Sequence, residues 1–155
     1  MKKWAIRIIL LLVLVIFLYI GGRIFQDSTR GIVDVEKIKG ISINQEESSS
    51  IPSDNLVLEG TIDAGNFEKI SSISALKKEG VIYVYINTVK GISLSNKFSQ
   101  SLDNVLVNYD STEVKEIVLI SGPEIIVKNT GEGNVDSIEV NNFTKKKLIK
   151  DFTKQ

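Results

Sequence analysis

Two hydrophobic rhythms follow one another along the chain. The first is a solid block. Thirteen apolar residues, Ile8 to Ile20, run without interruption, followed by Gly21, Gly22 and Arg23. Trp4 to Ile6 extend the block on one side, and Ile24 and Phe25 on the other. A helix needs about 20 apolar residues to cross about 30 Å of hydrocarbon. The central run is shorter, but Arg7 and Arg23 can snorkel their charges to the two headgroup layers. Trp4 and Tyr19 suit the interfaces. A block apolar on every side and at a terminus fits a buried soluble helix poorly. The choice is between a cleaved export signal and a retained anchor. After the run, Ile20-Gly21-Gly22 places a bulky Ile where a cleavage site prefers a small residue, so an uncleaved anchor over residues 8–25 is expected. Lys2, Lys3 and Arg7 should keep residues 1–7 cytoplasmic and leave the remainder outside.

The second rhythm has a period of two, the mark of a strand with one buried face. In "NLVLEGTID", Leu56, Leu58 and Ile62 share a face, opposite Val57, Glu59 and Thr61. In "GVIYVYIN", Ile82, Val84 and Ile86 face one way and Val81, Tyr83 and Tyr85 the other. A strand apolar on both faces belongs at the centre of a sheet. "LDNVLVNYD" reads as a strand with Val105, Val107 and Tyr109 together. "EVKEIVLIS" and "EIIVK" read as a hairpin turning at Gly122 and Pro123. Short strands are expected at Ile41 and Ile43, at Ile92 to Leu94, and in "NVDSIEV". "NFEKISSISALKKEG" is ambiguous. Phe67, Ile70, Ile73 and Leu76 recur every three residues, as on a helix face. Three serines oppose a helix interior, and "KKEG" makes a compact turn into the next segment, which favours a strand.

About seven short strands with no intervening helices point to an all-β fold. The expectation is an antiparallel, immunoglobulin-like β-sandwich preceded by a transmembrane helix. The implied organisation is a cytoplasmic end (1–7), the anchor (8–25), a stalk with a possible first strand (26–54), the β-domain (55–140) and a basic tail (141–155). "QEESSSIPSDN" within the stalk reads as a loop, and the tail as frayed or a short helix.

Composition narrows the chemistry. The chain has no cysteine and no histidine. That removes lipid-modified cysteine, disulfide staples and thiol chemistry, together with the commonest general base and metal ligand. Residues 31–130 carry nine Lys/Arg and fourteen Asp/Glu, near −5, which argues against nucleic acid. Residues 143–155 carry five Lys and one Asp, near +4. These lysines could meet anionic lipid or wall polymer, or simply keep the tail soluble. The abundance of Ile, Lys, Asn and Ser is that of an AT-rich bacterial genome.

Candidate sites are few. "SALK" (Ser74 to Lys77) matches the S-x-x-K of serine acyl-enzymes, but no S-D-N or K-T-G accompanies it, and a solvated turn explains it as well. Asp110 with Glu113, or Glu132 with Asp136 and Glu139, offer carboxylates for calcium without the order of ligands of an EF-hand. No metal or cofactor is expected. Tyr83 and Tyr85 would form a flat amphipathic patch for a partner or glycan if their face is exposed, and otherwise pack under neighbouring structure.

An anchor, a stalk, "EGVIYVYIN" and a closing "TEVKEIVLISGPEIIV" together resemble small uncharacterised single-pass membrane-anchored proteins of Gram-positive bacteria with an extracytoplasmic β-domain. Those carry a turn "G-V-[LI]-Y-[IV]" and a final "[IV]-K-[EK]-I-[YV]-L" hairpin. The likeness spans Asn55 to Lys128. Where such proteins often end in a tryptophan-containing strand, Val127-Lys128 stands here. The resemblance implies no activity and no functional residues. The expected function is a non-catalytic, membrane-anchored binding module whose partner is an envelope protein or a cell-wall polymer. An accessory subunit acting through its anchor helix, or a cell-envelope hydrolase, are the alternatives.

Overall fold

The computed structural model describes residues 2–45, 56–93, 95–106, 111–122, 128–129, 136–137 and 143–154. Helix α1 spans Lys2–Ser28. At 1.5 Å per residue it is about 40 Å long, enough for hydrocarbon and part of both headgroup layers. Within it, Lys3–Gln26 is long and apolar enough to cross a membrane, and none of it is buried by the rest of the chain. Its apolar side chains, from Trp4 to Phe25, stand exposed on all sides. A single apolar helix followed by a β-rich domain is the arrangement of a single-pass membrane protein.

The helix passes into the domain with almost no spacer. Thr29 N–H and Thr29 Oγ1 both donate to Gln26 O, at 3.1 and 2.9 Å. The same hydroxyl accepts from Lys90 N–H at 3.0 Å. Residues 26–54, read as a stalk, supply the end of α1, β1 (Gly31–Ile32), a 3₁₀ turn (Val35–Lys37) and β2 (Ile38–Gln45). The "QEESSSIPSDN" loop lies outside the described residues apart from Gln45.

The domain is mostly antiparallel and has two sheets. β2, β3 (Leu56–Ile62) and β6 (Lys97–Ser101) form one, with β3 central. The other contains β1, β4 (Glu68–Lys78), β5 (Val81–Lys90), β7 (Glu116–Ser121) and β10 (Lys145–Asp151). A short pair, β8 (Lys128–Asn129) and β9 (Asp136–Ser137), stands apart. Both sheets contribute to one buried cluster. Leu56, Leu58 and Ile62 come from β3, and Ile82, Val84 and Ile86 from β5; Ile117 and Leu119 of β7 join them. These are the alternating faces expected from "NLVLEGTID" and "GVIYVYIN". β5 is the central strand. β4 pairs along its whole length on one edge. The other edge is shared, with β7 beside Val81–Val84 and β1 beside Asn87 and Thr88.

Several local expectations change. β7 runs parallel to β5, because the chain leaves for β6 in the other sheet and returns from the same end. β7 has β5 on one edge and β10 on the other. Of "EIIVK", read as its hairpin partner, residues 124–127 lie outside the described residues, and Lys128 pairs with β9 instead. "LDNV" is a turn rather than a strand: Val105 N–H and Leu106 N–H both donate to Leu102 O, at 3.1 and 3.0 Å. That tight turn buries Leu102 and Val105 together; Val107 and Tyr109 lie outside the described residues. The edge strand expected at Ile92 forms five residues later as β6, and Ile92 itself is exposed. The tail is neither frayed nor helical, since β10 pairs with β7 from Ser121 to Glu116.

Two β-bulges explain the misleading spacing of three. In β4 the register slips between Ile70 and Ser72. The extra residue, Ser71, re-phases the alternation, so Ile70 and Ile73 both pack on the main cluster. In β10 a slip between Leu148 and Lys150 does the same for Ile149 and Phe152.

Candidate functional site

A polar concavity outlined by the described strands lies between the outer edges of β4 and β6. It encloses about 530 Å³. Lys69, Ser71 and Ser72 come from β4, and Lys97, Ser99 and Gln100 from β6. Ile70, Ile73, Ile92 and Phe98 supply the apolar floor and flank. The two sheets are bridged at one end, where Ala75 N–H donates to Val105 O at 2.8 Å. Ile92, Ser93 and Ser95 line the other end.

Each wall follows from a local feature. The β4 bulge turns Ser71 outwards, and bulges are a common means of re-aiming a side chain beside a site. Ser72 sits opposite the buried Asn87. Asn87 Nδ2 donates to Ser72 Oγ at 3.0 Å, which leaves the serine proton free to point into the groove. Asn87 Oδ1 has no hydrogen-bond partner among the described residues. Lys69 lays its aliphatic stem across Gly91, where a Cβ would stand 3.2 Å from Lys69 Cδ. Ser99 Oγ donates to Glu59 Oε1 at 3.0 Å, across the β3–β6 pair. The charged side chains among the described lining residues are two lysines, with no carboxylate. The groove is thus a cationic, hydroxyl-lined strip on a domain of net negative charge.

A second hollow, about 550 Å³, lies beside Val35, Glu36 and Thr144 to Lys147. Its main cation is engaged. Lys145 Nζ contacts Asp34 Oδ2 at 2.7 Å and Glu36 Oε1 at 3.2 Å. The Lys145 ammonium, and then the Glu36 N–H, hold the Asp34 carboxyl below its ordinary range. Asp34, and then Glu36, hold Lys145 above the usual lysine value. Lys146 pairs more loosely with Glu116, at 3.6 Å.

The residues singled out from sequence fall elsewhere. Tyr85 is fully buried with Val118 and Ile120, and Tyr83 is half-buried with its ring 6.0 Å from that of Phe143. Their face is therefore packed, not an open two-tyrosine patch. Ser74 and Lys77 lie on strand β4, where positions three apart point to opposite faces, unlike the shared face of one helical turn. Arg7 and Arg23 are exposed on α1, sixteen residues or about 24 Å apart along its axis. Of the calcium candidates, Asp110, Glu132 and Glu139 lie outside the described residues, as does the side chain of Asp136. Among the described residues no group of three or more His, Cys, Asp or Glu could hold a metal. In the sequence the serines of the groove look like ordinary strand residues. The signal is the pairing of Lys69-Ile70-Ser71-Ser72 with Lys97-Phe98-Ser99, meaningful only once two strand edges face each other.

Comparison with protein-family models, with curated protein sequences and with solved structures gives no match to this chain, so the likeness to Gram-positive anchored proteins rests on the β-patterns alone.

Proposed function

We propose that the protein is a membrane-anchored extracytoplasmic binding module, without catalysis of its own, that holds a segment of an anionic, hydroxyl-rich envelope polymer in the groove between β4 and β6. The observation that carries this reading is the lining: two lysines and several hydroxyls between two strand edges, with no carboxylate among them. Lysine attracts phosphate or carboxylate groups without demanding one geometry, and serine hydroxyls both donate to and accept from sugar or polyol oxygens. A groove open to solvent between two strand edges suits a chain more than a compact small molecule. Retention of α1, with Lys2, Lys3 and Arg7 on the cytoplasmic side, puts the groove on the face of the membrane where such polymers lie.

The test is binding of purified anionic wall polymer to the full-length protein in nanodiscs. Neutralising both lysines (K69Q/K97Q) should weaken binding by about tenfold or more, at roughly 1 kcal/mol per lysine near a charged surface. Neutralising Lys78, at the end of β4, should leave it unchanged. Equal affinity for both variants would rule out the groove. Loss of cellular function on exchanging α1 for an unrelated anchor, with the groove intact, would favour an accessory subunit that works through its helix.

A further inference from the structure

We propose that the rim of the β-domain beside α1 rests on the bilayer that α1 spans, with Phe67 and Ile92 inserted among the lipid headgroups. This rests on reading α1 as a retained span. Phe67 is 70% exposed and Ile92 80%, the most exposed large apolar side chains of the β-domain among the described residues. They lie together, because Gly91 N–H donates to Phe67 O at 2.8 Å and Ile92 follows Gly91. They also lie next to the helix end, since the preceding residue, Lys90, donates its N–H to Thr29. Hydrogen-bonded neighbours stand about 4.8 Å apart, so Phe67 is about 10 Å from Thr29. Thr29 is four residues past Phe25, the last apolar residue of α1, or about 6 Å of helix rise. The headgroup layer is about 5–8 Å thick on each side, so the Phe67 ring and the Ile92 side chain are within its reach.

The charges fit the same occupant. Lys69, Lys90 and Lys97 border the two apolar side chains, and Lys90 and Lys97 are exposed. Of the acids near this rim, Glu68 accepts from Gly65 N–H at 3.2 Å, and Asp27 lies in the last turn of α1. Apolar side chains ringed by lysine are the composition of surfaces that sit in an anionic lipid interface. With two residues between α1 and β1, the domain has little freedom to stand away from the membrane. The rim then holds the open end of the groove, at Ile92 and Ser93, against the lipid surface.

The experiment uses the full chain in vesicles of mixed neutral and anionic phospholipid, brominated either just below the headgroups or deep in the acyl chains. Trp4 is the only tryptophan and reports on α1. The W4F/F67W and W4F/I92W variants report on the rim, and W4F/D103W on the turn at the bridged end of the groove. The expected result is blue-shifted emission and strong quenching by shallow bromines for F67W and I92W, with neither for D103W. Unquenched indoles in F67W and I92W, with Trp4 still quenched in the native chain, would overturn the inference and leave the span standing. An unquenched Trp4 would overturn both.

Discussion

Gly80 is the residue at which the backbone leaves least choice. It follows Glu79 in a two-residue turn between the paired Lys78 and Val81, with φ of +54° at Glu79 and +82° at Gly80. Such a turn matches the twist of the two strands and favours glycine at its second position. Space is also closed, since a Cβ would stand 2.6 Å from Glu113 O. Gly80 O meanwhile accepts from Lys115 N–H at 2.7 Å, tying the hairpin to the start of β7. Gly80→Ala should therefore destabilise the domain by about 2 kcal/mol or more, read as a lower urea midpoint with unchanged slope. Leu58 is fully buried at the junction of the two sheets, and Leu58→Ala should cost about 2–5 kcal/mol in the same titration. The turn was legible from "KKEG" and the burial of Leu58 from alternation, because both are local properties of a few consecutive residues. The burial of Tyr85 was not legible, because what covers a face is set by remote chain.

The element least expected from sequence is β10. Its lysines suggest a soluble tail, but β7 has an edge to fill, and each pairing satisfies backbone groups that would otherwise be buried without partners. Lys146 and Lys147 remain exposed, while Ile149 and Phe152 reach the core on either side of the bulged register. At its start the strand is clamped by Lys145 on Asp34 and Glu36. The clamp gives β10 a defined pH window. Asp34 is lowered in the folded protein, so its contribution is present above the unfolded carboxylate value of about 3.9 and is lost as pH falls through the folded value. Lys145 is raised, so its contribution is present below about 10.4 and is lost as pH rises through the folded value. Between these limits the β10 amides should be strongly protected from exchange with solvent deuterium, relative to the intrinsic exchange rate at each pH, and that protection should fall towards either end. The K145Q variant should remove most of that pH dependence. An unchanged profile would show that pairing with β7 alone holds the strand. The short run from Asp34 to Glu36 carries no hint of Lys145, more than a hundred residues away.

At the scale of the whole molecule, one helix and one β-domain are joined through Thr29 with no long spacer. Retention of the helix predicts that the protein stays with membranes after carbonate extraction and that its mature N-terminus still contains Trp4. A soluble mature form beginning near Arg23 would show instead that α1 is an export signal. What the sequence by itself determined were the features carried by neighbouring residues: an apolar run long enough to span, a basic flank, and strands whose two faces differ at every second position. Those are read from the period of a side-chain pattern, and the backbone geometry of helix and strand sets that period. Only the tertiary structure decided which strands are partners, that β7 lies parallel to β5, that β10 is a strand, and that the edges of β4 and β6 face each other across a lysine- and serine-lined groove. Backbone hydrogen bonds are the same for every residue type, so pairing is chosen by how buried faces fit across the whole domain, and a site made of two strand edges exists only after that choice.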